Sequence, residues 1–187
     1  MPKETATSAS LKSLLRFDLI MILLLLFIPL IFFEERAFTV IVVAFLVVIS
    51  RASSFYDNLK VEIHSILILV MANAYGPFTG IFAAVITAPL VLPFGKILGG
   101  IQRPPWIVLD TIYLSVLAYI GSLLRPQELF FYGMIVIILV GNLMTGLIRV
   151  YILNDALSRR VPLSVLNIMF SYLILKNFLP KILSLFR

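Results

Sequence analysis

The chain has 187 residues, of which 61% are hydrophobic and 13% are charged, and its mean hydropathy is +1.11. A soluble domain is closer to half apolar and a quarter charged, so this composition excludes an ordinary soluble protein. The long unbroken apolar runs also exclude a β-barrel, whose strands alternate polar and apolar residues. We therefore expect an all-α integral membrane protein, a multi-pass protein of the cell membrane with a single domain over residues 1–187.

The charged and reactive residues exclude several classes of function. The formal net charge is +6, which in a membrane protein indicates basic cytoplasmic loops rather than nucleic-acid binding. The chain has no cysteine and one histidine, which excludes disulfides, thiolate ligands and multi-histidine metal centres. The signature motifs of zinc proteases, serine hydrolases and phosphate-binding loops are absent. The sequence therefore predicts no metal, no other cofactor and no catalytic residue.

The apolar runs predict a bundle of six transmembrane helices, or seven if residues 37–50 cross the membrane independently. This run is shorter than the roughly 20 residues that a crossing needs. It is expected to tilt, to thin the bilayer, or to continue through Arg51 by snorkelling. Residues 1–13 form a polar tail, and the predicted helices cover residues 17–33, 37–50, 63–75, 77–94, 106–124, 129–153 and 162–183.

The connections follow from polar, glycine and proline content. We expect a polar loop over residues 51–62, a glycine- and proline-rich loop over 95–105, and a short basic loop over 154–160. Pro162 is expected in the first turn of the last helix, where a proline is tolerated.

Gly76-Pro77 interrupts one long apolar run, because proline removes a backbone donor and disfavours helix in the residue before it. After this break, small residues recur every four positions. On a helix this spacing makes one smooth ridge where a neighbouring backbone can approach closely. The predicted helix-packing residues are Gly76, Gly80, Ala84 and Ala88.

Polar side chains inside a membrane are costly and usually face the interior of the bundle. We expect a ligand pocket that is closed by the 51–62 loop and walled by the last three helices. Its candidate substrate-binding residues are Lys60, Glu62, His64, Tyr75, Asp110, Tyr113, Asn142, Arg149 and Asn167. The alternative is that these groups lie in an interfacial loop or hydrogen-bond between helices, at roughly 0.6 kcal/mol per bond.

Residues 59–87, LKVEIHSILILVMANAYGPFTGIFAAVIT, resemble the substrate-binding S-components of energy-coupling-factor transporters. In that family a lysine-valine-acidic stretch ends the first loop, a short helix follows, and Gly-Pro opens the next helix. The matching positions are Lys60-Val61-Glu62 and Gly76-Pro77. The last helix, with Pro162 and Asn167, is also similar.

The resemblance implies a membrane subunit that captures a small polar solute, such as a vitamin. It also implies a transmembrane coupling subunit and ATPases as partners, since this chain has no nucleotide site. Two alternatives remain: a scaffold similar to the rod-shape-determining membrane subunit of the bacterial elongation machinery, and a membrane-embedded enzyme acting on lipids. With seven crossings, the positive-inside rule places the 51–62 loop in the cytoplasm, whereas the resemblance places this loop outside.

Overall fold

A computed structural model of the chain describes Leu23 and residues 27–52, 63–98, 104–152 and 157–185. These residues are almost entirely helical and contain no strand, which confirms the predicted all-α class. A 3-10 turn at Glu34–Arg36 joins the first two helices. The seven helices of the described residues are α1 (27–33), α2 (Ala37–Ala52), α3 (Ile63–Tyr75), α4 (Pro77–Leu98), α5 (Pro104–Leu123), α6 (129–151) and α7 (Leu157–Leu185).

Four of these helices, α4 to α7, are long and apolar enough to cross a membrane. The helices α2 and α3 are apolar but shorter. Many large apolar side chains point outward, among them Phe38, Phe78, Leu123 and Phe131. An apolar outer surface on long helices is what a bilayer requires, and it agrees with the predicted membrane protein.

The predicted break between α3 and α4 is a single residue. Gly76 has φ +91°, a conformation that glycine adopts without the steric penalty of a Cβ. Its N–H donates to the carbonyl of Ala72, which closes the last turn of α3. Pro77 then begins α4, as expected for a residue that needs no N–H partner in the first turn. The chain therefore reverses direction within one residue.

Three predicted boundaries are wrong in the same direction, because the helices are longer than expected. Helix α4 runs to Leu98, α5 begins at Pro104, and α7 begins at Leu157. Pro162 therefore lies inside α7 rather than in its first turn. Helix α2 runs to Ala52, which agrees with the expected alternative in which it continues through Arg51. Unpaired backbone groups are costly in an apolar environment, so helices continue where composition alone suggests a loop.

Helix α3 lies at the centre of the bundle and packs against α2, α4, α5, α6 and α7. Most of its residues are buried, which explains why it is apolar around its whole circumference. Leu69 projects between two glycines, since a Cβ on Gly121 or Gly133 would lie within 2.8 Å of its methyl groups. Asn73 donates to the carbonyls of Gly121 and Leu124 at 3.0 and 2.7 Å, and so caps the end of α5.

The small-residue ridge of α4 begins one turn later than predicted. A Cβ on Gly80 would lie 2.7 Å from Ala72 Cβ of α3 and 2.8 Å from Ala118 Cβ of α5. Ala84 is fully buried and Ala88 is half-buried. Gly76 is not part of this contact, because a Cβ there would meet nothing within 4 Å. Gly76 is required for its backbone conformation, whereas Gly80 is required for packing.

Candidate functional site

Buried polar side chains are concentrated toward one end of the bundle. This end, here called the loop end, is where α2 and α4 finish and α3 and α5 begin. Of the buried polar residues that the structure describes, Thr79 alone lies at the opposite end. The others are near the loop end or in the middle of their helices: Arg51, His64, Ser65, Thr87, Asp110, Asn167 and Ser171.

Among the described charged residues of the loop end, Arg51 is the most deeply buried, with 1% of its surface exposed. Its Nη1 donates to the carbonyl of Ala84 at 3.2 Å and to Thr87 Oγ1 at 3.1 Å. Its Nη2 donates to the carbonyl of Ile107 at 3.2 Å and to Thr111 Oγ1 at 2.9 Å. The planar fork of the guanidinium suits this geometry, so one side chain of α2 joins α4 to α5.

The sequence interpretation missed Arg51, because it assigned the residue to a solvated loop or to a snorkelling helix end. Two signals were available. The run before Arg51 is too short to cross a membrane alone, which favours continuation of the helix. Thr87 and Thr111 also stand in apolar helices at positions where an inward-facing arginine can reach a hydroxyl. Neither signal identifies the partner helices.

His64 lies in the first turn of α3 and is fully buried. Its Nδ1 is 3.2 Å from Ser50 Oγ of α2, and the tautomer decides which group donates. His64 thus links α3 to the end of α2, next to the Arg51 contacts. The sequence placed His64 at the start of the predicted helix 63–75, at the mouth of an apolar run, and the structure buries this side chain inside the helix bundle.

Three predicted site residues form a layer across the last three helices. Tyr113 of α5 is buried against Gly141 of α6, where a Cβ would lie 2.5 Å from the tyrosine oxygen. The next residue, Asn142, accepts a hydrogen bond from Asn167 Nδ2 of α7 at 3.2 Å. Asn142 Nδ2 in turn donates to the carbonyl of Ile137 at 3.0 Å. Tyr113, Asn142 and Asn167 therefore lie close together.

The layer coincides with an irregular part of α6. Residues Ile137–Met144 are π-helical, between the α-helical segments Leu129–Val136 and Thr145–Tyr151. A π-helical insertion widens the backbone and turns side chains away from their regular positions, and such insertions are frequent at functional sites. Here the insertion contains both Gly141 and Asn142.

A groove of about 260 Å³ opens beside this layer, between α6 and α7. Asn142 and Ser164 are its polar residues, and its other walls are apolar, including Gly146 and Ile168. The predicted pocket had three walls, formed by α5, α6 and α7. The residues that line this groove belong to α6 and α7, so the predicted α5 wall is wrong for the groove. The two predicted site residues of α5 are not part of this lining. Asp110 is buried in α5, and Tyr113 is buried against Gly141 of α6.

Tyr75 does not belong to this site. It ends α3, whereas His64 begins the same helix, and at 1.5 Å per residue the two positions are about 16 Å apart. Tyr75 lies instead beneath Arg36, whose guanidinium carbon is 4.9 Å from the centre of the tyrosine ring. Lys60, Glu62 and the side chain of Arg149 fall outside the described part of the structure.

We predict that Gly141→Ala weakens the contact between α5 and α6, because its Cβ would overlap the hydroxyl of Tyr113. Overpacking of this kind costs about 1–3 kcal/mol. The ring carbons Cζ and Cε2 of Tyr113 would also lie 2.7 and 3.0 Å from this Cβ. Removing the hydroxyl therefore relieves only part of the overlap, so Gly141→Ala should lower the unfolding midpoint in a Tyr113→Phe background as well. Thermal unfolding in detergent measures both, and an unaltered midpoint for Gly141→Ala would show that the two helices separate without cost.

The arrangement offers hydrogen-bonding amides and hydroxyls rather than a reactive centre. Within the described residues, no cluster of histidine, aspartate and glutamate side chains is suited to hold a metal ion. The groups present can orient a small polar molecule, which needs a few directed contacts in a mostly apolar pocket. No family model matches the chain, and neither a curated protein nor a solved structure is detectably similar to it.

Proposed function

We propose that this protein is a membrane-embedded capture subunit for a small polar solute, of the kind that the S-component resemblance implies. The observation that carries the proposal is the position of the polar layer. Asn142 and Asn167 meet inside the apolar spans Leu129–Ile148 and Ser164–Ser184, with Asn167 about one turn from the start of its span. Asn142 also lines the adjoining groove.

The chain order of the helices supports the same proposal. In the resemblance, the first loop is followed by a short helix and then by Gly-Pro, which opens the next helix. Here α3 and α4 have that form, with Gly76 between them and Pro77 as the first residue of α4. The antiparallel order of the helices brings the end of α6 and the start of α7 to the same side as the start of α3. The solute would enter from this side.

Uptake against a gradient requires energy, and the sequence has no phosphate-binding loop. We therefore propose that the chain acts with a transmembrane coupling subunit and ATPases. Its own task would be recognition of the solute, with Asn142 and Ser164 as direct contacts. Asn167 would act as a positioning residue that fixes the Asn142 amide.

Thermal unfolding with a panel of water-soluble vitamins and related heterocycles tests the proposal. A ligand at about 100 times its dissociation constant should add roughly 2.7 kcal/mol to the unfolding free energy. Asn142→Leu should abolish this ligand-induced shift, measured relative to the variant's own midpoint without ligand. Asn177→Leu is the matched control, because Asn177 is exposed on α7 and donates only within that helix, to the carbonyl of Leu173.

Two results would count against capture. If no compound in the panel raises the midpoint and no small molecule co-purifies with the protein, the scaffold alternative becomes the better explanation. If a ligand is found but Asn142→Leu and Asn177→Leu respond to it alike, the protein binds a solute elsewhere than at the groove.

A further inference from the structure

A second cavity lies at the end of the bundle opposite the loop end, and it is independent of the proposed solute site. Its volume is about 460 Å³, within the roughly 300–1,000 Å³ that is typical of small-molecule sites. Three parts of the chain line it: the junction of α1 and α2, the end of α3 and the start of α4. The lining residues are Phe32, Phe33, Glu34, Arg36, Tyr75, Phe78 and Thr79.

This cavity lies at the end of the bundle where the membrane-spanning segment of α4 begins. The apolar span of α4 starts at Pro77, next to Tyr75 and Phe78. Glu34 and Arg36 lie in the turn that precedes α2, and both side chains are exposed. Charged and aromatic residues at the ends of spans lie at the depth of the lipid headgroups. The cavity therefore opens toward headgroups rather than toward bulk water alone.

The cavity combines both charge signs with aromatic walls. The Arg36 guanidinium carbon lies over the Tyr75 ring, 4.9 Å from its centre, and a guanidinium in this position can direct its N–H groups to an oxyanion. The rings of Phe33 and Phe78 have centres 6.0 Å apart. Aromatic faces attract ammonium groups, and the Glu34 carboxylate can accept N–H bonds from one.

The backbone at Glu34 is in the left-handed region, with φ +43°. This conformation is uncommon for a residue other than glycine. Strained residues of this kind persist where the surrounding structure holds them, and they are frequent at binding sites. At this position the strain lies in the same turn that carries the carboxylate and the guanidinium.

We infer that this cavity binds the headgroup of a zwitterionic phospholipid, with the phosphate at Arg36 and the ammonium at Glu34. The acyl chains would continue over the exposed rings of Phe32 and Phe78, which are 62% and 61% exposed. A primary ammonium, as in phosphatidylethanolamine, fits better than choline because it can donate N–H bonds to the carboxylate. A lipid with one negative charge and no ammonium would leave Glu34 facing another anion.

Native mass spectrometry of the full chain in micelles that hold equal amounts of phosphatidylethanolamine and phosphatidylglycerol tests this inference. We expect mainly phosphatidylethanolamine to remain bound. Arg36→Glu should reduce that adduct at least tenfold, whereas Arg125→Glu should leave it unchanged. Arg125 is the matched control, because it is exposed in the α5–α6 turn at the same end of the bundle.

A second variant keeps the test decisive if Arg36→Glu does not fold. In the same micelles, Glu34→Gln should retain the phosphate contact but lose the preference for phosphatidylethanolamine over phosphatidylglycerol, because the carboxylate that favours an ammonium and disfavours a second anion is gone. The inference is overturned by equal retention of phosphatidylglycerol in the unsubstituted protein, or by equal loss in Arg36→Glu and Arg125→Glu. It is also overturned if soluble phosphoethanolamine binds as tightly as the lipid, since the ligand would then come from solution.

Discussion

Replacing Arg51 by alanine is expected to lower the free energy of unfolding by about 2–5 kcal/mol, the range for loss of a large buried side chain. The variant loses the packed side chain together with the four hydrogen bonds that join α2 to α4 and α5. Each such bond contributes about 1 kcal/mol, and somewhat more when the donor is charged. Thermal unfolding of the purified protein in detergent measures the loss.

Arg51→Met separates volume from hydrogen bonding. Methionine fills much of the same space, and the threonine hydroxyls keep partners inside their own helices. Thr87 Oγ1 donates to the carbonyl of Ala83 at 2.7 Å, and Thr111 Oγ1 donates to the carbonyl of Ile107 at 2.7 Å. We therefore expect Arg51→Met to be less destabilising than Arg51→Ala, since an apolar residue of similar volume often replaces a buried charge at little cost.

Arg125→Ala provides the exposed control, with an expected change within about 0.5 kcal/mol. An Arg51→Ala protein as stable as this control would refute the interpretation of Arg51 as a buried link between helices. It would indicate instead that the arginine side chain lies in water or among headgroups.

Gly80→Leu is expected to have the second large effect. Even the first carbon of the new side chain would lie 2.7 Å from Ala72 Cβ and 2.8 Å from Ala118 Cβ, so α4 must move away from both α3 and α5. Gly80→Ala already introduces this overlap and should cost about 1–3 kcal/mol, and leucine should cost more. Thermal unfolding and the yield of folded protein are the measurements.

A matched glycine shows whether the effect is steric. Gly146 is also helical, but a Cβ there would meet nothing within 4 Å. Gly146→Ala should therefore be neutral or stabilise the protein by up to about 1 kcal/mol, because alanine favours helix more than glycine does. If Gly80→Ala and Gly146→Ala are stabilised to the same extent, then α4 does not make the close contact with α3 and α5 that is described here.

The sequence and the structure agree on features that depend on composition or on a few neighbouring residues. Composition determines a helical membrane protein, because only helices satisfy the backbone over such long apolar runs. The Gly76-Pro77 pair determines where one helix ends and the next begins, since the conformational limits of these residues act over a few positions. The face of α7 that carries Asn167 also follows from periodicity, whereas the π-helical residues Ile137–Met144 turn Asn142 away from its regular α-helical position.

Tertiary structure decided what those faces touch. Arg51 stands beside a predicted loop, and only the positions of α4 and α5 turn it inward to two carbonyls and two hydroxyls. In the sequence, Tyr75 and Tyr113 are both candidate site residues. In the structure, Tyr75 is the last residue of α3 and lies away from the polar layer, which contains Tyr113. Periodicity gives the direction of a side chain from its own helix axis, and the neighbour it meets depends on packing between segments far apart in the chain.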